Sequence, residues 1–466
     1  MARVDNVLDY LDESFYRDYR AQGHGPMIQF TWIYEHDIDL AALRRFHRNL
    51  GKGLLGRCVE HSPIPFSRSR WVAWSSPADF EVAALPRPRS DLTVWTDEQA
   101  ARRIDIENGP PWRLAVQPLD GGGAAVTLVV SHTVADGVGV NDAVVNAVRG
   151  TGVDIGYPAP RSRTTMQALR QDLRQVLRDL PRAGQAVVLA PLAAKEMPLR
   201  VRPSLQSELV RRDAGGLLAR RTADDSRAAG RELVPARSGR LPSVAILVPT
   251  GHWDQCAEIL GGTSNALLVG LTCRLCDILG WIDADGLVDV TFPVNERTLG
   301  DTRGNALSSA SMIVAPAAAT DLRGIRASVK AALIRLSKVR NRVMAPLALM
   351  PFVPEFVARR LQNVVLKSAN ITCSHFGDLD PAVNRPDGTD AEWFYARHAR
   401  APQMADPDLL RKAGGIFFPI ASGRLGGRIY ISLCYSDGDG STTTDQLAEV
   451  ARRALGDFGI TDFVIA

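Results

Sequence analysis

The sequence predicts an α+β fold divided into two halves, and three observations support it. The chain has 466 residues, whereas single hydrophobic cores stop growing near ~250–300 residues and longer chains divide. β-rich and helix-periodic runs are mixed in both halves, without the one-for-one alternation of a doubly wound sheet. Between the halves, from Pro158 to Arg240, the composition turns rich in Arg, Ala and Gly with almost no aromatics. The expected organisation is an N-terminal lobe over 1–157, a helical and Arg-rich linker over 158–240, and a C-terminal lobe over 241–466.

In chain order, MIQFTWIYE from Met27 is rich in β-branched and aromatic residues and predicts a strand. DIDLAALRRFHRNLGKG from Asp37 has an acidic start and apolar residues at helical spacing, and SRWVAW from Ser69 predicts a second strand. A helical patch, DEQAARRIDI from Asp97, precedes the breaker cluster NGPPW. Two strands follow, RLAVQPL and AAVTLVV, joined by DGGG; the second runs into SHTVADG and then the helix-periodic GVNDAVVNAVRG. The linker opens with a helix, TMQALRQDLRQVLRDLPRAGQAVVLAPL. The C-terminal half restarts with the strand SVAILVP and the helix TSNALLVGLTCRLCDILG, then the strand LVDVTFPVN and the segment GNALSSASMIVAP. A long helix from Asp321 to Val339, the strand-like ANITCSHFGD and IFFPIASGRLGGRIYISLCYSDG, and a helix, DQLAEVARRAL, complete it.

The net charge of +4 is modest for this length and the basic residues are mixed with acids, which argues against a nucleic-acid partner. The first residues, MARVDNVLDYLDESFYRDYR, contain no apolar core of a secretory signal. No run approaches the roughly 18 apolar residues of a membrane span, so a cytoplasmic protein without a transmembrane segment is expected. Six cysteines suit a reducing compartment. Cys273 and Cys276 form a CxxC, but well inside a helical pattern and without a second pair, which predicts helix packing rather than redox or metal chemistry.

His132 stands where a strand gives way to a loop, so its ring can face a cleft instead of a core. Asp136 follows at a spacing that lets a tight turn bring its carboxylate beneath the same loop. Gly137 permits positive φ or close backbone approach there. A metal site would need further ligands, and only Asp142 is near, so none is expected. YSDGDGSTTTD carries Asp437 and Asp439 at calcium-ligand spacing, but Thr442 replaces the required glycine and position twelve is Ala448, which favours a hairpin turn.

The run His132-Thr-Val-Ala-Asp136-Gly137 after a strand resembles the HxxxDG signature of the acyltransferase superfamily that includes chloramphenicol acetyltransferase and nonribosomal peptide condensation domains. The closest pattern is the bacterial wax ester synthase/diacylglycerol acyltransferase branch. DIENGPPWRLAVQPL resembles that family's lead-in to the motif. VDNVLDYLDESF, GPMIQFTWIYE and DIDLAALRRFHRNL follow the branch's order, and TSNALLVGLTCRL, VTFPVNERTLGDTRGNALSS and ITCSHFGDLDP resemble its C-terminal segments. Three positions depart from the patterns: Ser131 stands where condensation domains have a first histidine, Ala266 where an aspartate is expected, and His375 where an asparagine is expected.

The resemblance implies two chloramphenicol-acetyltransferase-like lobes forming a pseudo-dimer with an active-site tunnel between them. It implies an acyltransferase that moves an acyl group from acyl-CoA or acyl-phosphopantetheine to a hydroxyl, O-acylation being favoured over N-acylation. His132 would be the general base, with no covalent acyl-enzyme and no permanently bound cofactor. Its ring would be held in one tautomer through its own backbone carbonyl. Asp136 and Arg297 would pair as structural support, aided by Gly137, with Asn305 shaping a turn between the lobes. Ser374, His375 and Ser131 are the oxyanion or substrate-binding candidates. The acceptor would be a small or lipid-like molecule. Two alternatives stay open: a free-standing condensation enzyme forming an amide or ester from carrier-protein-bound substrates, and a non-catalytic acyl-ligand or carrier-binding module. MAPLALMPFVPEFVARRLQNVVL, apolar first and basic later, could line the core or tunnel, or give a peripheral membrane contact.

Overall fold

Eight consecutive buried residues, Met27–Tyr34, form β1, a burial that a continuous β-branched and aromatic run meets at the centre of a sheet. In this computed structural model, which describes residues 4–74, 80–196, 241–282, 285–316, 321–354, 371–399, 416–436 and 442–466, β1 pairs antiparallel with β6 (Ala124–Ser131), itself buried throughout. With β4 (Phe80–Val82), β5 (Trp112–Pro118) and β11 (Trp393–Ala399) they form a five-stranded sheet of order β11-β1-β6-β5-β4. Helices α1 (Tyr10–Gln22), α2 (Leu40–Leu50), α3 (Leu92–Ala101) and α4 (Gly137–Arg149) accompany it, with a small hairpin of β2 (Arg57–Glu60) and β3 (Arg70–Ala73).

Three of these elements differ from expectation. The charged N-terminal stretch is a helix, α1, capped by the Asp9 side chain and closed by Gly23 in the left-handed region at φ 77°. RCVE forms β2, too short to show a period. The patch expected at Asp97–Ile106 is helical only to Ala101: Arg102 is extended, and the Asp105 side chain accepts from the Glu107 and Asn108 N–H groups, closing a turn in place of another helical one.

The second sheet has seven strands in the order β14-β7-β13-β12-β10-β8-β9. Its strands are β7 (Ser243–Pro249), β8 (Val288–Asn295), β9 (Leu307–Val314), β10 (Ile371–Asp378), β12 (Phe418–Leu425), β13 (Arg428–Cys434) and β14 (Val464–Ile465). α6 (Thr250–Ile259), α7 (Ser264–Ile278) and α9 (Thr444–Asp457) share its core, and α8 (Arg323–Met344) packs against α7 and β9. α7 is buried over most of its length; burial pushes the Cys273 and Cys276 thiols up in pKa, which removes the thiolate a redox or metal role needs.

β11 comes from the C-terminal part of the chain yet completes the first sheet, antiparallel to β1. Its Arg397 clasps both lobes, donating to Gln29 at 2.8 Å and Asp97 at 2.6 Å on one side and to the Ser243 hydroxyl at 2.6 Å on the other. α5 (Thr165–Glu196) is one helix through Pro181 and Pro191 and packs against α8 and the 3-10 segment Ala345–Phe352. Linker residues 197–240 lie outside the described residues, as do Asp437, Asp439 and most of the stretch after Phe352. Among the described residues no single helix is long and apolar enough to cross a membrane, and no group of three metal-ligating side chains occurs.

Candidate active site between the lobes

The site begins where β6 ends. His132 N–H donates to Pro26 O at 2.9 Å and Val134 N–H closes a tight turn on Ser131 O. The chain then re-enters a helix at Asp136, whose carboxylate caps α4 by accepting from Gly139 N–H at 2.7 Å. Gly137 is required here by contact and not by backbone angle: a Cβ on it would lie 1.8 Å from the Phe376 ring of β10, across the lobe boundary.

Most other holds on this turn come from residues far away in sequence. Arg297 pairs with Asp136 through two nitrogens, at 2.9 and 3.3 Å, and also donates to the carbonyls of Asp301, Arg303 and Gly304. Ala306 N–H donates to the same carboxylate at 2.8 Å and Asp136 N–H to Gly304 O at 2.8 Å. Both side chains of the pair are almost fully buried. Arg57, stacked 3.8 Å above Trp71, donates to Val134 O at 2.7 Å and to the Tyr157 hydroxyl at 3.1 Å. The segment 297–306, between β8 and β9, is thereby keyed into the first lobe.

Asn305 is the hinge of the arrangement. Its Nδ2 donates to Asp12 Oδ1 at 3.1 Å and to His132 O at 3.0 Å. Both partners are acceptors only, so the amide orientation is fixed by its surroundings. Its Oδ1 then lies 2.9 Å from His132 Nδ1. An amide oxygen accepts, so Nδ1 carries the proton and Nε2 keeps its lone pair. The His132 backbone also favours the ring's protonated form, but the ring's side-chain bond is to Asn305, a direct role larger than shaping a turn.

Asp12 of α1 anchors Asn305 by accepting from the Gly304 N–H at 2.8 Å and the Asn305 N–H at 2.7 Å. It is fully buried, which pushes its carboxyl up to about 6, while the charge of Arg57 and the Gly304 N–H pull it down. For His132, burial lowers the pKa below its ordinary 6.5, opposed first by the charge of Asp136. The ring is neutral at pH 7.

The His132 ring lies parallel to Phe15 of α1 at 5.2 Å between centroids and to His398 of β11 at 6.2 Å. His398 Nε2 is 3.2 Å from the Ser374 hydroxyl on β10. Ser374 therefore belongs to the cluster around His132. His375, the next residue along β10, points to the opposite face of the strand; it lies opposite Ser422 in the register, and burial and the charge of Arg424 lower its pKa. Ser131 is buried, its hydroxyl accepting from Thr133 N–H at 3.4 Å, so it braces the turn.

Asp12, Phe15, Arg57 and His398 were missed by the sequence reading. Each reaches the site over a long sequence separation, and His398 sits in the ordinary strand run WFYARHA. Only the order VDNVLDYLDESF, matched as a segment, pointed to α1.

Comparison with solved structures places this architecture. The first condensation domain of the CDA synthetase aligns with a TM-score of 0.56 at 15% identity, covering 99% of this chain and 98% of that one. The chain has the condensation-domain fold. The condensation domain from the Monacolin K polyketide synthase MokA aligns equally well, at 0.56 and 12% identity over 98% and 97% of the two chains. The wax ester synthase/diacylglycerol acyltransferase from Marinobacter aquaeolei VT8 gives 0.55 at 13% identity over 97% and 98%. No family model matches the sequence, and no curated protein matches it.

Proposed function

We propose that this condensation-fold protein is an acyltransferase in which His132 Nε2 is the general base. The observation that carries the proposal is the fixed amide of Asn305, which leaves the proton on His132 Nδ1 and the lone pair on Nε2, in a ring whose lowered pKa keeps it neutral. Nε2 takes the proton of an acceptor hydroxyl as its oxygen attacks the carbonyl of an acyl thioester. The tetrahedral intermediate collapses with cleavage of the C–S bond, and Nε2–H returns the proton to the departing thiolate. No acyl-enzyme forms.

Ser374 supplies the oxyanion's hydrogen bond. With the proton on His398 Nε2, His398 donates to Ser374 Oγ and the serine's own hydrogen is directed to the substrate oxygen. The donor is coenzyme A-bound or pantetheine-bound, the condensation-domain neighbours supporting the second and the wax ester synthase the first, and the acceptor is a small or lipid-like alcohol. The Asp136–Arg297 pair holds the loop and touches no substrate.

The test is thiol release from acyl-CoA and acyl-pantetheine panels with pooled alcohols and amines, products read by mass spectrometry. His132→Ala should lower turnover about 10²–10⁴-fold with circular dichroism unchanged. Equal turnover by the variant would remove the base assignment, and no turnover from any donor would turn the reading to a non-catalytic acyl-binding module. An amide product in place of an ester would assign the condensation alternative.

A further inference from the structure

α5 is turned inside out. Its only acids before Glu196, Asp172 and Asp179, both point into the protein. Asp179 receives two bonds from Arg68 at 2.9 Å and one from the Tyr10 hydroxyl at 2.8 Å. Asp172 pairs with Arg70 at 2.9 Å and Arg163 at 2.8 Å and accepts from the Ser62 hydroxyl at 2.7 Å. Ala168, Gln175, Ala183 and Ala186 share that buried face. Roughly 120° around the helix, at steps of three and four residues, Leu169, Leu173, Leu177, Leu180, Val187 and Val188 face out, with exposures from 44% to 72%. Beside them Arg170, Arg174 and Arg178 are exposed at intervals of four, the row drifting round the helix until Arg182 reaches Tyr10 on the inner flank.

A solvent-facing helix ordinarily shows water its charges and the protein its leucines. Here the acids are consumed by internal ion pairs and the outer surface is apolar with charge of one sign. That surface is a helix of 32 residues, about 48 Å long at 1.5 Å per residue, and the neighbouring α8 contains no acid either. A second copy in antiparallel register would set arginine row against arginine row. A bilayer with anionic headgroups meets both features, accepting the leucines at the acyl boundary while the arginine stems lie along it and their guanidinium groups reach phosphates.

We propose that the exposed face of α5 is a docking surface for an anionic lipid membrane. The proposal is independent of the chemistry at His132. Its test is flotation of the full chain with vesicles of phosphatidylcholine alone and of phosphatidylcholine containing about 30% phosphatidylglycerol, a composition that gives the surface potential arginines respond to. Binding to the anionic vesicles is expected, weakening as salt rises. Leu173→Ser combined with Leu177→Ser should lower the bound fraction at least tenfold with an unchanged melting temperature, because those side chains have little packing to lose. Arg174→Gln combined with Arg178→Gln should abolish the preference for anionic over neutral vesicles. Absence of binding to either vesicle, or equal binding by the leucine variant, overturns the proposal. So does a concentration-dependent dimer that the leucine variant dissolves, since a second copy would then own the surface.

Discussion

The two sides of the active site are built in contrasting ways. On the first lobe, the turn from Ser131 to Gly137 is held by Pro26, Arg57, Arg297, Gly304, Asn305 and Ala306, with nearly every bond made between buried groups. On the second lobe, Ser374 has one side-chain partner among the described residues, His398, at 3.2 Å. The base is thus placed by an over-determined charged frame, while the oxyanion donor is met by one hydrogen bond from a histidine side chain. Damage to the frame should cost the fold, and damage to the Ser374 pair should cost rate alone.

The largest break is expected from Arg297→Met. It leaves the Asp136 carboxylate buried without its cation, which costs about 3–5 kcal/mol, read as a lowered urea midpoint together with lost turnover. If the midpoint held, the frame would not be what keeps the loop in place.

Ser374→Ala should lower kcat about 10²–10³-fold with stability and KM nearly unchanged, the size found on removing one oxyanion donor. His398→Gln, which keeps a donor toward Ser374, should retain most of the rate, whereas His398→Glu, acceptor-only when ionised, should lose it. Equal losses in both His398 variants would mean that His398 only fills space.

The smallest effect is in the pH profile. Burial lowers the His132 pKa below 6.5, so the neutral base predominates at pH 7 and kcat/KM should fall only as pH drops through the lowered value. Asp12, raised to about 6 by burial, binds a proton in the folded chain at a pH where the unfolded chain has released it. Its ionisation therefore costs stability as pH rises from about 4 to about 6, while its protonation on the acid side loosens the hold on Asn305. An acid limb centred above pH 7 would contradict the lowered His132 pKa, and a urea midpoint that did not fall between pH 4 and 6 would contradict the raised Asp12.

The same contrast explains how much was readable beforehand. β6, the following turn and α4 are local: a buried β-branched run, a histidine at its end, an aspartate at the N-cap and a glycine are contiguous, so their roles show in the residue order. The Asp136–Arg297 contact came only through resemblance, since 161 positions separate the two. α1 escaped because its charged residues obscure its apolar period, and because two of its acids, Asp12 and Glu13, are buried against expectation. His398 escaped because strand periodicity reports which face a residue takes, not which sheet the strand joins. β11 crosses to the first sheet, and no local signal in WFYARHA announces the crossing.

The central claim is that Asn305 sets the tautomer of His132. The direct measurement is the pair of ring nitrogen shifts of His132 by ¹⁵N NMR on histidine-labelled protein at pH 7, assigned by their loss in His132→Gln. The account predicts a protonated Nδ1 and an unprotonated Nε2, with the two forms mixed in Asn305→Ala. A proton on Nε2 in the wild type, or a doubly protonated ring, would contradict it.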